Sequence, residues 1–117
     1  MGIKKNATLL RIFIGERDKT GHTPVYETIV MEARSMGLAG ATVFKGIMGF
    51  GNSSRVHSTK ILRLSQDLPI IIEIVDNEEK IKNFLPVLDE LLEVSDAGAL
   101  VTIEKAEIIK YIHSKRD

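Results

Sequence analysis

Residues 70–92 read IIIEIVDNEEKIKNFLPVLDELL, and this stretch contains one strand followed by one helix. Five of the first six residues carry large apolar side chains, and these occupy both phases of the strand alternation. From Ile81 onward, apolar residues recur at spacings of three and four, which predicts an amphipathic helix. Asp76 and Glu79 predict its start as a capping box in which aspartate replaces serine or threonine. Pro86 lies inside the apolar stripe and predicts a kink or a split in the helix.

A second strand and helix precede this stretch. Residues 7–14 alternate as a strand does, with β-branched and aromatic side chains throughout. The polar segment 15–24 follows, and its end predicts a helix start with Thr23 as N-cap and Pro24 as the first helical residue. Gly37 is predicted to end this helix. The helix has an apolar stripe formed by Val25, Ile29, Ala33 and Met36.

Two further strands complete the pattern, at residues 41–48 and at about residues 99–111. Residues 61–64 are predicted to extend the strand of the quoted stretch, with an interruption around residues 66–69. The order strand, helix, strand, strand, helix, strand predicts an α+β, ferredoxin-like βαββαβ sandwich. Its antiparallel sheet has both helices on one face. The length fits a single domain over residues 1–117.

The second face of this predicted sheet is also apolar. Leu9 and Phe13 of the first strand, and Ile71 and Val75 of the third, alternate with the residues that should face the helices. Contiguous apolar surface outside a core usually marks an association site. The sequence therefore predicts a homo-oligomer assembled through the open sheet face.

Composition excludes several classes of function. Sixteen basic and sixteen acidic residues cancel, so no overall charge favours nucleic acid as a partner. The chain contains no cysteine, and hence no disulfide framework and no thiolate site. No apolar run approaches the roughly 18 residues of a transmembrane helix, so we expect no membrane insertion and a cytoplasmic location.

The sequence offers little support for catalysis or metal binding. His22, His57 and His113 are far apart, and none has the spacing that places two imidazoles on one metal. His57 is the best candidate of the three because it lies in a predicted loop. The serines lack a recognised order of histidine and carboxylate partners, and no nucleophile-elbow motif is present. We therefore predict no catalytic residue, no metal site and no enzymatic activity.

Residues 37–55 contain five glycines, which is dense enough to indicate close approach of another group to the backbone. The spacing Gly46-x-x-Gly49-x-Gly51 fits an anion-binding nest of backbone amides, to which Arg55 or Lys60 could add charge. It equally fits a β-bulge and a hairpin loop that bind nothing.

Several motifs, in this order, resemble the PII signalling proteins. They are Gly40-Ala-Thr-Val43, Gly49-Phe-Gly51 and Ile72-Glu-Ile-Val75. In PII proteins, a Gly-x-Thr-Val strand start and a Gly-Phe-Gly exit lead into a long flexible T-loop. The chain is still more similar to an uncharacterised PII-like family known only as a domain of unknown function. That resemblance covers essentially the whole domain, including residues 10–16 and 67–69.

The resemblance implies a homotrimer whose sheets pack around a threefold axis, with an adenine nucleotide in each cleft between subunits. Thr42 would bind the adenine side, and Val75 would offer main-chain contacts to the base. A T-loop-like segment would occupy about residues 49–60. The nucleotide-binding set implied in this way is Thr42, Gly49, Phe50, Gly51, Arg55, Val75 and Gly98.

One departure from the PII pattern concerns the phosphates. PII proteins hold the triphosphate with a glycine-rich B-loop and its lysine, whereas residues 94–100 here keep only Gly98 and have no lysine. A lost charge-assisted contact costs about 1.5–3 kcal/mol. ADP, AMP or a cyclic nucleotide is therefore favoured over ATP, as a ligand rather than an obligatory cofactor.

The function implied by the resemblance is regulatory. A nucleotide-bound trimer would control a protein target through the loop, and a membrane transporter or an enzyme would be a suitable target. The alternative is a trimeric binding protein of the same architecture for a metal ion or small anion, similar to the copper-tolerance CutA proteins.

Overall fold

The structure is a computed structural model that describes residues 5–50 and 68–115. Within these ranges the elements are, in order, β1 (Asn6–Gly15), β2 (Lys19–Thr20), β3 (Thr23–Pro24), α1 (Val25–Ser35), β4 (Thr42–Lys45), β5 (Pro69–Asp76), α2 (Glu78–Ser95) and β6 (Leu100–Glu107). The strands β4, β5, β1 and β6 form one antiparallel sheet in that spatial order. The predicted α+β, ferredoxin-like fold is confirmed.

The core lies between this sheet and the two helices. Strand alternation sends every second residue of β1 and β5 toward the helices, and the pair Ile12 and Ile72 lies at the centre of their register. Burying one such aliphatic side chain contributes about 1.5–3 kcal/mol. The buried cluster is Leu10, Ile12, Ile14, Val25, Ile29, Ala33, Ile70, Ile72, Ile74, Ile81, Phe84 and Leu88.

The end of α1 is a Schellman motif. Gly37 has a φ of +80°, a left-handed conformation that glycine adopts without steric cost. Its N–H donates to Arg34 O over 3.0 Å, and the Leu38 N–H donates to Ala33 O over 3.1 Å. The predicted helix stop at Gly37 is therefore correct.

The start of α1 differs from the prediction by one residue. Pro24, with φ −57° and ψ 140°, is the N-cap, and Val25 is the first helical residue. Thr23 pairs with Thr20 in the small hairpin formed by β2 and β3, so it is not the cap. Its loop begins with Gly21 at φ +65°, which suits the first central position of a two-residue hairpin turn.

The start of α2 also corrects the prediction. Asn77 is the N-cap, and no capping side chain hydrogen bond is present there, so the capping box of Asp76 and Glu79 is wrong. Asp76 is the last residue of β5, and its carboxylate accepts a hydrogen bond from the backbone N–H of Ala39. The helix continues through Pro86, so the predicted split does not occur. Pro86 is exposed, and the Lys82 carbonyl that it leaves without a donor can bind water.

Two edge strands are shorter than predicted. The structure assigns β4 to Thr42–Lys45, rather than to residues 41–48. The strand β6 ends at Glu107 because its partner β1 begins opposite that residue, at Asn6. The predicted strand extension at residues 61–64 lies outside the described residues.

Replacing Asp96 by glycine is expected to raise the free energy of unfolding by about 0.5 kcal/mol. Asp96 closes α2 with a φ of 57°, and a residue with a Cβ pays roughly 1–2 kcal/mol there. Glycine removes that strain but loses more backbone entropy on folding. Urea denaturation of the variant measures the difference. Gly37→Ala is the matched control and should destabilise the protein, so a shift in the same direction for both would contradict the argument.

Candidate functional site

The sheet face opposite the helices carries a continuous apolar row. The strand registers align Phe44, Ile71, Phe13 and Leu100 across β4, β5, β1 and β6. The edge residues are open to solvent, with Phe44 46% and Leu100 58% exposed. Leu9 and Val75 form a neighbouring pair on the same face. The predicted apolar second face is therefore present.

A polar row crosses the middle of this face, next to the apolar row. Arg11 Nε donates to Glu73 Oε2 over 2.8 Å, and Arg11 Nη1 donates to Glu104 Oε2 over 3.1 Å. The hydrogen bond to Glu73 and the two negative charges raise the pKa of Arg11. Since two carboxylates share one guanidinium, the network carries one net negative charge. The sequence signal for it was the arginine that interrupts an otherwise apolar strand.

The structure separates the predicted nucleotide-binding residues into groups. Thr42 and Val75 both lie on the open face, on the neighbouring strands β4 and β5. Gly49 and Phe50 follow the end of β4. Gly98 precedes β6, at the opposite edge of the sheet, three strand spacings or roughly 14 Å from β4. One chain therefore does not bring Gly98 to the other residues.

Two of the predicted site residues, Gly51 and Arg55, lie outside the described residues. His57 lies there as well, together with most of the T-loop-like segment at 49–60. Their predicted roles remain predictions.

Two glycines of the glycine-rich stretch are explained by packing against Pro69. A Cβ on Gly46 would lie 2.7 Å from Pro69 Cγ, and a Cβ on Gly49 would lie 3.2 Å from the same atom. The Gly46 N–H donates to Pro69 O over 2.8 Å, so this amide is not available to an anion nest. A Cβ on Gly40 meets no atom within 4 Å in the described part of the chain.

The loop that leads into Thr42 is held from three directions. Asp76 is 1% exposed, and its Oδ2 accepts from the Ala39 N–H over 2.9 Å. Lys80 Nζ donates to Gly37 O over 3.1 Å, and the Tyr111 hydroxyl donates to Ala39 O over 3.4 Å. Sequence reasoning assigned Asp76 to a helix cap and missed this role.

An ion pair connects the end of β4 to the end of β1. Lys45 Nζ lies 2.8 Å from Glu16 Oε2. The hydrogen bond from Lys45 lowers the pKa of Glu16, and the same contact raises the pKa of Lys45. Both groups are therefore charged at neutral pH. Sequence reasoning gave neither residue a role.

Residues 5–50 and 68–115 contain no group of three or more histidine, aspartate or glutamate side chains that could hold a metal ion. Over the same residues, neither helix has the length and apolarity needed to cross a membrane.

Comparison with known sequences identifies close relatives. The sequence pattern of the DUF190 family, described as Uncharacterized ACR, matches residues 7–108. A UPF0166 protein of Aquifex aeolicus is 38% identical over 101 residues, which cover 86% of this chain and 91% of the relative. A UPF0166 protein of Methanocaldococcus jannaschii is 39% identical over 104 residues, which cover 89% of this chain and 93% of the relative.

Comparison with solved structures identifies the same fold. The nitrogen regulatory PII-like protein CPII of Thiomonas intermedia, solved with ADP, AMP and bicarbonate, superposes with a TM-score of 0.63. The match covers 92% of this chain and 97% of CPII at 16% identity. At this identity, the likeness establishes a shared fold.

Proposed function

This chain belongs to the DUF190 family, and from that premise we propose that it is a PII-like, non-catalytic regulatory protein that binds an adenine nucleotide between subunits. The observation that carries the proposal is that the implied nucleotide-binding residues lie at two opposite edges of the sheet. Thr42 and Gly49 belong to one edge of the sheet and Gly98 to the other, so a second copy must supply the missing wall. The nucleotides bound to CPII, which shares the fold, support the choice of ligand.

The assembly that we propose is a homotrimer closed through the open sheet face. The row formed by Phe44, Ile71, Phe13 and Leu100 supplies the apolar surface for it. Assembly through this face brings the β4 edge of one copy toward the β6 edge of the next.

The nucleotide carries few phosphates in this proposal. The turn between α2 and β6 has the sequence Asp96-Ala-Gly-Ala99, which supplies one glycine and no cation. A third phosphate would place more negative charge beside a turn that already carries an aspartate. ADP, AMP or a cyclic form is therefore favoured over ATP.

The regulated partner in this proposal is a protein, such as a membrane transporter or an enzyme. Ile47 is 93% exposed and Phe50 is 88% exposed, so the residues that lead into segment 52–60 present apolar surface. Nucleotide in the neighbouring cleft would control whether this segment engages the partner.

Isothermal titration with ATP, ADP, AMP and cyclic AMP tests the ligand. We expect at least one of ADP, AMP and cyclic AMP to bind at least tenfold more tightly than ATP, because a third phosphate would gain no charge-assisted contact and would be repelled by the carboxylate of Asp96. GTP is the control for the base and should bind more weakly than the matching adenine nucleotide. If the protein is trimeric under the conditions of the titration and none of the four adenine nucleotides releases or absorbs heat, the proposal is wrong.

A further inference from the structure

Glu73 lies on the open face of the sheet, beside the residues that the proposed function assigns to the adenine base. Its neighbours along β5, Ile72 and Ile74, are buried in the core, so Glu73 and Val75 belong to the opposite face. The register pairs Glu73 directly with Thr42 of β4, and the Cβ atoms of such a pair lie about 4.5–5.5 Å apart. Val75 is two residues further along β5, roughly 7 Å away. Glu73 is therefore within reach of the same part of a ligand as Thr42 and Val75.

The protein binds one oxygen of the Glu73 carboxylate. Arg11 Nε donates to Oε2 over 2.8 Å, which fixes the position of the carboxylate on the face. Among residues 5–50 and 68–115 no group donates a hydrogen bond to the second oxygen, Oε1, and the side chain is 31% exposed. An ionised carboxylate only accepts hydrogen bonds. The ligand group that binds Oε1 must therefore be a donor.

The charge around Glu73 does not suit a phosphate. Arg11 also donates to Glu104, so two carboxylates share one guanidinium and the network carries one net negative charge. Phosphate oxygens placed beside it would be repelled. The uncharged base, which carries hydrogen-bond donors, is the part of a nucleotide that fits this position.

Purine bases differ in the group that they carry at carbon 6. Adenine has an amino group there, which donates hydrogen bonds, whereas guanine has an oxygen, which accepts them. A fixed carboxylate binds the amino group and repels the oxygen.

We propose that Glu73 selects the adenine base in the nucleotide cleft, with Oε1 accepting a hydrogen bond from the 6-amino group. This inference rests on the proposed function, because it assigns a residue to the same cleft. It also orients the ligand, since the phosphates must point away from the network formed by Arg11, Glu73 and Glu104.

The test compares AMP and ADP with the mono- and diphosphates of purine riboside, which lack only the 6-amino group. Because each pair carries the same sugar and phosphates, the ratio of the two dissociation constants measures the contribution of the amino group. The assembled wild type should bind the adenine nucleotide at least about tenfold more tightly. Glu73→Leu should lower this ratio about tenfold, and Glu73→Gln, which keeps a neutral accepting oxygen, should lower it about threefold.

The matched control is Glu104→Leu. Glu104 shares the guanidinium of Arg11, but the register pairs it with Leu9 and not with Thr42. Both leucine variants remove one negative charge from the network, so a general effect of charge would change the ratio equally in both. The ratio in Glu104→Leu should stay within about twofold of the wild-type ratio.

Two results would overturn the inference and leave the proposed function standing. One is a wild type that binds the two members of each pair equally, and the other is a ratio that Glu73→Leu lowers no more than Glu104→Leu does. If Glu73→Leu does not assemble, the ratio in Glu73→Gln decides the question, because glutamine keeps the size and polarity of the side chain. If the wild type binds no adenine nucleotide, the proposed function itself has failed.

Discussion

Replacing Phe13 by aspartate is expected to convert the proposed trimer into monomers. Phe13 belongs to the central strand β1 and occupies the middle of the apolar row, between Ile71 and Leu100. A carboxylate at this position would be buried without a partner when three copies close on this face. The effective penalty for burying an ion is several kcal/mol, and about 4 kcal/mol weakens association roughly a thousandfold.

Sedimentation equilibrium measures this effect directly. The wild type should sediment at three times the chain mass of 13.0 kDa, and the variant at the mass of one chain. Met31→Asp is the matched control, since Met31 lies on α1, is 65% exposed and is remote from the open face. The circular dichroism of both variants checks that the fold persists. If the Phe13→Asp variant is a trimer and its subunits associate as tightly as those of the wild type, assembly does not use this face.

The fold was predictable because its strongest signals are periodic. Alternation in β1 and β5 assigns Ile12 and Ile72 to the helix side and Phe13 and Ile71 to the open side, and the observed register agrees. These assignments depend only on the two-residue period of a strand. The turn at Gly37 was equally local, since the glycine conformation and the hydrogen bonds that end α1 involve residues 32–38.

Sequence reasoning is weakest where a residue contacts a partner that is distant in sequence. Asp76 stands directly before a helix, which is the pattern of a cap, yet it accepts from Ala39, 37 residues away. The density of glycines suggested close approach of a ligand to the backbone, whereas the group that approaches Gly46 and Gly49 in the structure is Pro69, about 20 residues further along the chain; the nucleotide-binding role of Gly49 stays a prediction. A pattern of neighbours along the chain contains no information about such contacts.

The sequence indicated which residues could form the candidate site, but not how they are arranged in space. The resemblance to PII-like proteins selected Thr42, Gly49 and Gly98 together, but the sheet places the first two and the last at opposite edges. In the proposed trimer, a second copy of the chain would bring them together. The ion pair of Lys45 and Glu16 was missed because single charged residues at strand ends are common and their pairing requires the three-dimensional register.

Replacing Asp76 by alanine is expected to lower the free energy of unfolding by about 3 kcal/mol. Its buried carboxylate accepts from the Ala39 N–H over 2.9 Å and from the Asn77 N–H over 2.7 Å. Hydrogen bonds to a charged group contribute about 1.5–3 kcal/mol each, and alanine leaves both donors without this acceptor. Part of that loss is offset, because the Asn77 amide at the helix start can reach water.

Urea denaturation measures the loss, and amide hydrogen exchange locates it. Exchange at Ala39 should accelerate in Asp76→Ala, because the carboxylate accepts the hydrogen bond of the Ala39 N–H in the loop that leads into Thr42. Asp76→Asn keeps one accepting oxygen and should lose about half as much stability. Lys80→Ala removes an exposed contact to the same loop, at Gly37 O, and should cost less than about 1 kcal/mol. Unchanged exchange at Ala39 in Asp76→Ala would show that the loop is held by its other contacts, and that the buried carboxylate serves only the start of α2.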